Sequence, residues 1–102
     1  MGVPKYTTPT VTLNFSEEAL DLTQATNIAL TFRYPGGKTT LGSDRLTVEA
    51  KSITAVLTQE ETGRFSAGNV MAMANWVIAG MRFASEKVAI VFDENYLAEV
   101  MT

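Results

Sequence analysis

The sequence predicts an all-β domain. The expected architecture is an antiparallel β-sandwich, immunoglobulin-like or jelly-roll-like, of about seven strands with one short helical turn near 59–65. Three observations carry this reading. Apolar and polar residues alternate at period two in segment after segment, the spacing of strands with one wet face. Turn signals rich in Gly, Pro, Asn, Asp and Ser separate those segments every few residues. A helix start is clear at one place only, Thr58-Gln59-Glu60-Glu61. A partly closed small barrel shares the same signals and is the competing architecture. At 102 residues the chain is expected to be a single domain, residues 1–102, and is long enough to bury a core of its own.

Taken in order, residues 1–8 (MGVPKYTT) read as an extended lead-in. The segment TVTLNF follows, with Val11, Leu13 and Phe15 on one face and Thr10, Thr12 and Asn14 on the other. In SEEALDLTQATN, Ser16 ahead of Glu17 and Glu18 suits a capped helical turn. The two-residue spacing of Leu20 and Leu22 equally suits an irregular crossover or a short strand. Ile28, Leu30, Phe32 and Tyr34 alternate with Ala29, Thr31 and Arg33. Pro35-Gly36-Gly37 then turns the chain, and Lys38 to Leu41 returns to make a hairpin. After Gly42-Ser43-Asp44, the residues Leu46, Val48 and Ala50 are expected inward. Lys51-Ser52 is a bend, and Ile53, Ala55 and Leu57 continue the inward set.

Thr58 and Glu61 have the form of a capping box, in which each side chain serves the other's backbone N–H. Gly63 and then Ala67-Gly68 are expected to stop this helix, and Phe65 to plug an open end of the sheet pair. Asn69 to Ala79 reads as the longest strand and carries the only tryptophan, Trp76. Val70, Ala72, Ala74, Trp76 and Ile78 share one face. Ala79-Gly80 turns the chain into Met81 to Phe92. There, Val88, Ile90 and Phe92 come into phase with Met81 and Phe83 only if a bulge near Ser85-Glu86-Lys87 shifts the register by one. In the last segment, residues 93–102, Tyr96, Leu97, Val100 and Met101 have helical spacing, suited to a short docked helix or a frayed end.

The composition removes several classes of function. There is no histidine and no cysteine, so the commonest general base, the commonest metal ligand and all thiol chemistry are missing. Ser52, Ser66 and Ser85 therefore have no histidine to activate them. The acidic pairs Glu17-Glu18, Glu60-Glu61 and Asp93-Glu94 fall at element ends, where capping accounts for them. Pro35-Gly36-Gly37-Lys38 lacks the spacing of a phosphate loop. No catalytic, cofactor-binding or metal-binding residue is assigned, and the protein is not expected to be an enzyme. Net charge is −3 without a basic stripe, so nucleic acid is not an expected partner. No apolar run reaches the roughly 20 residues of a membrane helix. The first ten residues lack the apolar core of a signal peptide. Trp76 with Tyr34, Phe83 and Tyr96 would suit a sugar platform, but Val70 and Ile78 in phase with Trp76 favour a core position for it.

One feature stands apart. Met71, Met73 and Val77 make the second face of the long strand apolar too, where a sandwich strand normally has a wet side. Either the crossover or the last segment covers them, or they form a contact with another subunit, a role that methionine suits. The candidate interface is Met71, Met73 and Val77, with Tyr96, Leu97 and Val100 of the last segment.

The stretch from Val56 to Ser85, VLTQEETGRFSAGNVMAMANWVIAGMRFAS, resembles a pattern of phage and prophage structural proteins of Firmicutes. It is similar to the N-terminal domain of siphophage baseplate upper proteins. The residues that carry the likeness are Leu57 to Thr62, Phe65, Ala67-Gly68, Val70, Gly80, Arg82, Ala84 and Ser85, about a third of the chain, with PKYTTPT as a matching start. The resemblance implies a β-sandwich that builds part of a tail or baseplate by packing on copies of itself or on other phage tail proteins. It implies no cofactor, and a place in the virion, or in the bacterial cytoplasm before lysis. The alternative function is a carbohydrate- or surface-binding module that uses Trp76 or Tyr34.

Overall fold

A computed structural model describes residues 2–65 and 67–102. Ser66, one of the three serines considered above, lies outside the described residues. Among the described residues the chain forms nine strands: β1 (Val3–Pro4), β2 (Thr10–Asn14), β3 (Asn27–Tyr34), β4 (Gly37–Leu41), β5 (Leu46–Glu49), β6 (Ser52–Val56), β7 (Gly68–Ile78), β8 (Met81–Ala84) and β9 (Val88–Asp93). One helix, α1 (Gln59–Arg64), and two 3-10 turns, Leu22–Gln24 and Ser43–Arg45, complete the elements.

The strands make two sheets, compatible with the expected sandwich. The larger has six strands in the order β1-β9-β7-β3-β4, with β8 also paired to β7. The smaller is β2-β6-β5. Pairing is antiparallel throughout except for β1, which lies parallel to β9. The lead-in is thus not merely extended: it adds an edge strand to the larger sheet. No helix of the described residues is long and apolar enough to cross a membrane.

The core follows from the alternation. Val70, Ala72, Ala74 and Trp76 of β7, Ile28, Leu30 and Phe32 of β3, and Leu41 of β4 are buried from the larger sheet. Leu13, Ile53 and Ala55 meet them from the smaller one, and Leu57 just beyond β6 joins them. Phe65 is fully buried, with ring centroids 5.5 Å from Phe32, 5.1 Å from Tyr34 and 5.0 Å from Phe92. These separations are those of favourable aromatic pairs. Ala50, expected inward, lies in the β5–β6 turn and is exposed, because β5 ends at Glu49.

The turns follow the residue chemistry. Tyr34 pairs with Gly37 across the two-residue loop Pro35-Gly36, where Gly36 has φ +97°, as a type II turn requires. Ala79 and Gly80 both have positive φ, 52° and 78°, the arrangement that matches the twist of a tight hairpin. The register slip is present: the β7–β8 and β7–β9 pairings differ by one residue, with Ser85–Lys87 between them. Ser85 holds the break together. Its N–H donates to the Ala74 carbonyl at 2.8 Å, and its Oγ accepts from the Ala74 N–H at 2.9 Å.

One expectation, the helix stop at Gly63, is corrected, and two open alternatives are narrowed. The cap after β2 is Asp21, not Ser16: its side chain accepts from the Thr23 N–H, starting the 3-10 turn that buries Leu22. Gly63 does not end α1 but lies inside it. A Cβ there would stand 2.5 Å from the Tyr6 ring, so the missing side chain is what admits Tyr6. The last segment forms no helix. Asn95 donates to the Lys5 carbonyl, Met101 N–H donates to Gln59 Oε1, and Gln59 Nε2 donates to the Met101 carbonyl.

Candidate assembly surface

The strand β7 runs through the middle of the larger sheet, flanked by β3 on one side and by β9 and β8 on the other. Because successive side chains alternate, burying Val70 through Trp76 sends Asn69, Met71, Met73, Asn75 and Val77 to the opposite face. The register then fixes their neighbours. Arg33 stands beside Met71, Thr31 beside Met73, Ala29 beside Asn75, and Asn27 beside Val77. From the other flank come Ala89 beside Met71, Val91 beside Asn69 and Arg82 beside Val77. The Thr31–Thr40 hydroxyl pair at 3.0 Å and the Arg82–Asn75 hydrogen bond at 3.2 Å lie on this same face.

Met71, Met73 and Val77 are half-buried, with Arg33, Thr31, Asn27, Ala89 and Arg82 beside them in the sheet. The crossover does not cover them. Leu22 N–H donates to the Ala50 carbonyl, and Lys51 Nζ donates to the carbonyls of Glu17, Glu18 and Leu20, so residues 17–22 are tied to the β5–β6 turn, while the end of the segment runs alongside β7, where the Thr26 N–H donates to the Val77 carbonyl at 2.9 Å. The last segment does not cover them either. It is bonded to Lys5 and Gln59, and Tyr96, Leu97, Val100 and Met101 are themselves exposed. The six candidate residues therefore fall into two separate groups, an apolar centre on the large sheet and an exposed apolar rim on residues 96–101.

Sequence reasoning does not single out the cations of this face. Arg33 and Lys38 are direct partners in the β3–β4 ladder, and Arg82 lies across β7 from them. The signal was available: a two-residue turn at Pro35-Gly36 necessarily sets Lys38 opposite Arg33. Neither Arg33 nor Lys38 has an acidic partner; among the described residues the ion pair found is Arg45 with Glu61, at 2.9 Å. A shallow depression of about 710 Å³ lies between them, lined also by Asn69 and Met71. An acidic chain thus places three of its eight cations around an apolar strip.

Glu61 and Arg45 serve the fold. Glu61 N–H donates to Thr58 Oγ1 at 3.2 Å, and Thr58 N–H donates to Glu61 Oε1 at 2.9 Å, completing the capping box. Arg45 grips the same carboxylate with both Nη atoms. Burial pushes the Glu61 carboxyl up, but the Arg45 and Thr58 hydrogen bonds outweigh it and hold the pKa below its ordinary value. The described residues contain no group of three or more His, Cys, Asp or Glu able to hold a metal ion.

Trp76 is a core residue, 6% exposed, with Phe15 edge-on at 5.5 Å and Phe83 stacked at 6.5 Å. Tyr34 is half-buried, its hydroxyl bonded to Thr39. Neither forms an open aromatic platform. Beside Trp76, a cleft of about 560 Å³ opens between the end of β2 and the Ser85–Lys87 bulge, with Asn14, Glu17, Ser85 and Glu86 in its lining. The Trp76 Nε1–H is buried without a partner.

Compared with protein families, with curated proteins and with solved structures, the chain finds no match.

Proposed function

We propose that this is a non-enzymatic structural protein that works by assembly, through the outer face of its six-stranded sheet, in the tail or baseplate of a phage or prophage. One observation carries the assembly reading. The central strand β7 presents the half-buried Met71, Met73 and Val77 on the outer face of the sheet, where among the described residues the side-chain hydrogen bonds Arg82–Asn75 and Thr31–Thr40 join neighbouring strands of that same sheet. Burying such a strip against another subunit is favourable at roughly 25 cal/mol per Å² of apolar surface. Methionine adapts its shape to a partner at little strain. The phage placement rests on the resemblance of residues 56–85 to baseplate upper proteins, and the partners it suggests are further copies of the chain or other tail proteins.

Light scattering across a concentration series tests the assembly reading. Mass should rise above that of the protomer with the chain alone or with a neighbouring tail protein added, and Met73→Lys should abolish the rise. A variant that assembles as well as the parent would remove this face from the reading. Flanking genes for tail-tube, tape-measure or lysin proteins would support the placement, and sugar-utilisation genes would count against it.

A second reading, a carbohydrate-binding module, is favoured by the cleft beside Trp76, where a hydroxyl-rich ligand would meet Asn14, Glu17 and Glu86. Glycan-array binding that disappears in Glu86→Ala, an exposed residue in the lining of this cleft, would support it. Absence of binding across the array would dismiss it.

A further inference from the structure

The last segment of the chain has the chemistry that the outer face lacks. Residues 93–102 carry Asp93, Glu94 and Glu99 and no cation. Their apolar side chains face solvent: Tyr96 is fully exposed, and Leu97, Val100 and Met101 are between 43% and 63% exposed. The segment is nonetheless fixed, by Asn95 on Lys5 and by the reciprocal Gln59–Met101 pair at 2.7 Å. It is a ledge held on its own protomer, displaying apolar side chains with acidic neighbours. The outer face displays Met71, Met73 and Val77 with Arg33, Lys38 and Arg82 around them.

We propose that the occupant of the outer face is the 94–102 ledge of a second copy of this chain. The proposal rests on the assembly reading above and names its partner. Tyr96, Leu97 and Val100 would lie along the Met71–Met73–Val77 strip, and Glu94 and Glu99 would meet the unpaired Arg33 and Lys38. Such charge matching sets register and orientation as well as affinity. The contact joins two different surfaces, so two copies can exchange ledges reciprocally about a two-fold axis, or each copy can offer a ledge to one neighbour and a face to another. The first arrangement closes as a dimer, and the second closes into a ring or runs on as a filament. The candidate residues that are separate in one protomer become the two halves of one interface.

The test uses two charge-reversed chains. One carries Glu94→Lys and Glu99→Lys, and the other carries Arg33→Glu and Lys38→Glu. All four positions are exposed, and circular dichroism checks that both chains fold. Each variant alone should associate roughly tenfold or more weakly than the parent, since like charges then face each other. The equimolar mixture should recover assembly, because each ledge then matches the other chain's face. Tyr96→Ala should weaken association without any change of charge. Assembly of the parent that persists unchanged in the ledge variants but is lost in Met73→Lys would overturn this inference and leave the assembly reading standing. Assembly unaffected by Met73→Lys would overturn both. A parent chain that stays monomeric at every concentration would overturn the second-copy occupant and leave the face to another tail protein.

Discussion

Arg33 and Lys38 face each other directly across the β3–β4 ladder, on the outer side of the larger sheet, with no carboxylate between them. Like charges in this position repel, and opposite charges attract by roughly 0.2–1 kcal/mol. Lys38→Glu is therefore expected to stabilise the protomer by about 0.5–1 kcal/mol while weakening its self-association. Denaturant midpoints and light-scattering mass, measured on the same preparation, report the two effects. A variant that loses stability, or gains both stability and association, contradicts the assignment of this pair to an interface.

A second prediction concerns Ala79, which holds φ 52° in the hairpin that leads out of β7. The left-handed region costs an ordinary L-residue roughly 1–2 kcal/mol. Asparagine and glycine adopt it more readily, and both are favoured in such a turn. Ala79→Asn is expected to raise stability by about 1 kcal/mol in chemical denaturation. A neutral or destabilised variant would show that the turn is not of this type.

Gly63 and Tyr6 give a prediction whose sign depends on the partner. In an isolated helix, Gly→Ala is favourable by roughly 0.5–1 kcal/mol. Here the added methyl would press on the Tyr6 ring at 2.5 Å, and Tyr6 itself sits at φ 59°, held in place as Thr62 exchanges hydrogen bonds with Thr7. Gly63→Ala should destabilise the parent, yet stabilise a chain that already carries Tyr6→Ala. A double-mutant cycle measures this directly. The same sign in both backgrounds would mean that Gly63 is not there to admit Tyr6.

The Glu61 carboxylate predicts how stability responds to acid. Its pKa is below the ordinary value in the folded protein, so the folded state holds the proton less tightly than the unfolded chain does. Its contribution is fully present above the unfolded value, about 4.3, and is lost as pH falls below that towards the lowered folded pKa. Glu61→Gln should cost roughly 1–2 kcal/mol at pH 7, by removing the charged cap and the bidentate Arg45 contact. It should also flatten the acid limb of the stability curve. An acid limb identical to that of the parent would remove Glu61 from its causes.

Much of the fold was legible because backbone geometry writes itself into alternation. The inward residues of β3 and β7, the turns at Pro35-Gly36 and Ala79-Gly80, the Thr58–Glu61 capping box and the one-residue slip at Ser85–Lys87 all follow from local spacing. What escaped the sequence depends on distant partners. Val3–Pro4 is too short to read as a strand and becomes one only because Asp93 and its neighbours pass alongside. Gly63 looks like a helix stop until Tyr6 is seen against it. For the candidate surface, the apolar half was visible as the alternate residues Met71, Met73 and Val77. The cationic half required strand order, since Arg82 joins Arg33 and Lys38 only when β8 and β3 lie on opposite sides of β7.

The central claim is that the Met71–Met73 face is where this protein meets another molecule. Methyl NMR of the chain labelled at its methionines tests it most directly. The Met71 and Met73 signals should shift or broaden as protein concentration, or that of an added tail protein, rises, while Met81, on the other side of the sheet, stays constant. Met71 and Met73 signals that stay fixed under conditions where light scattering shows assembly would contradict it.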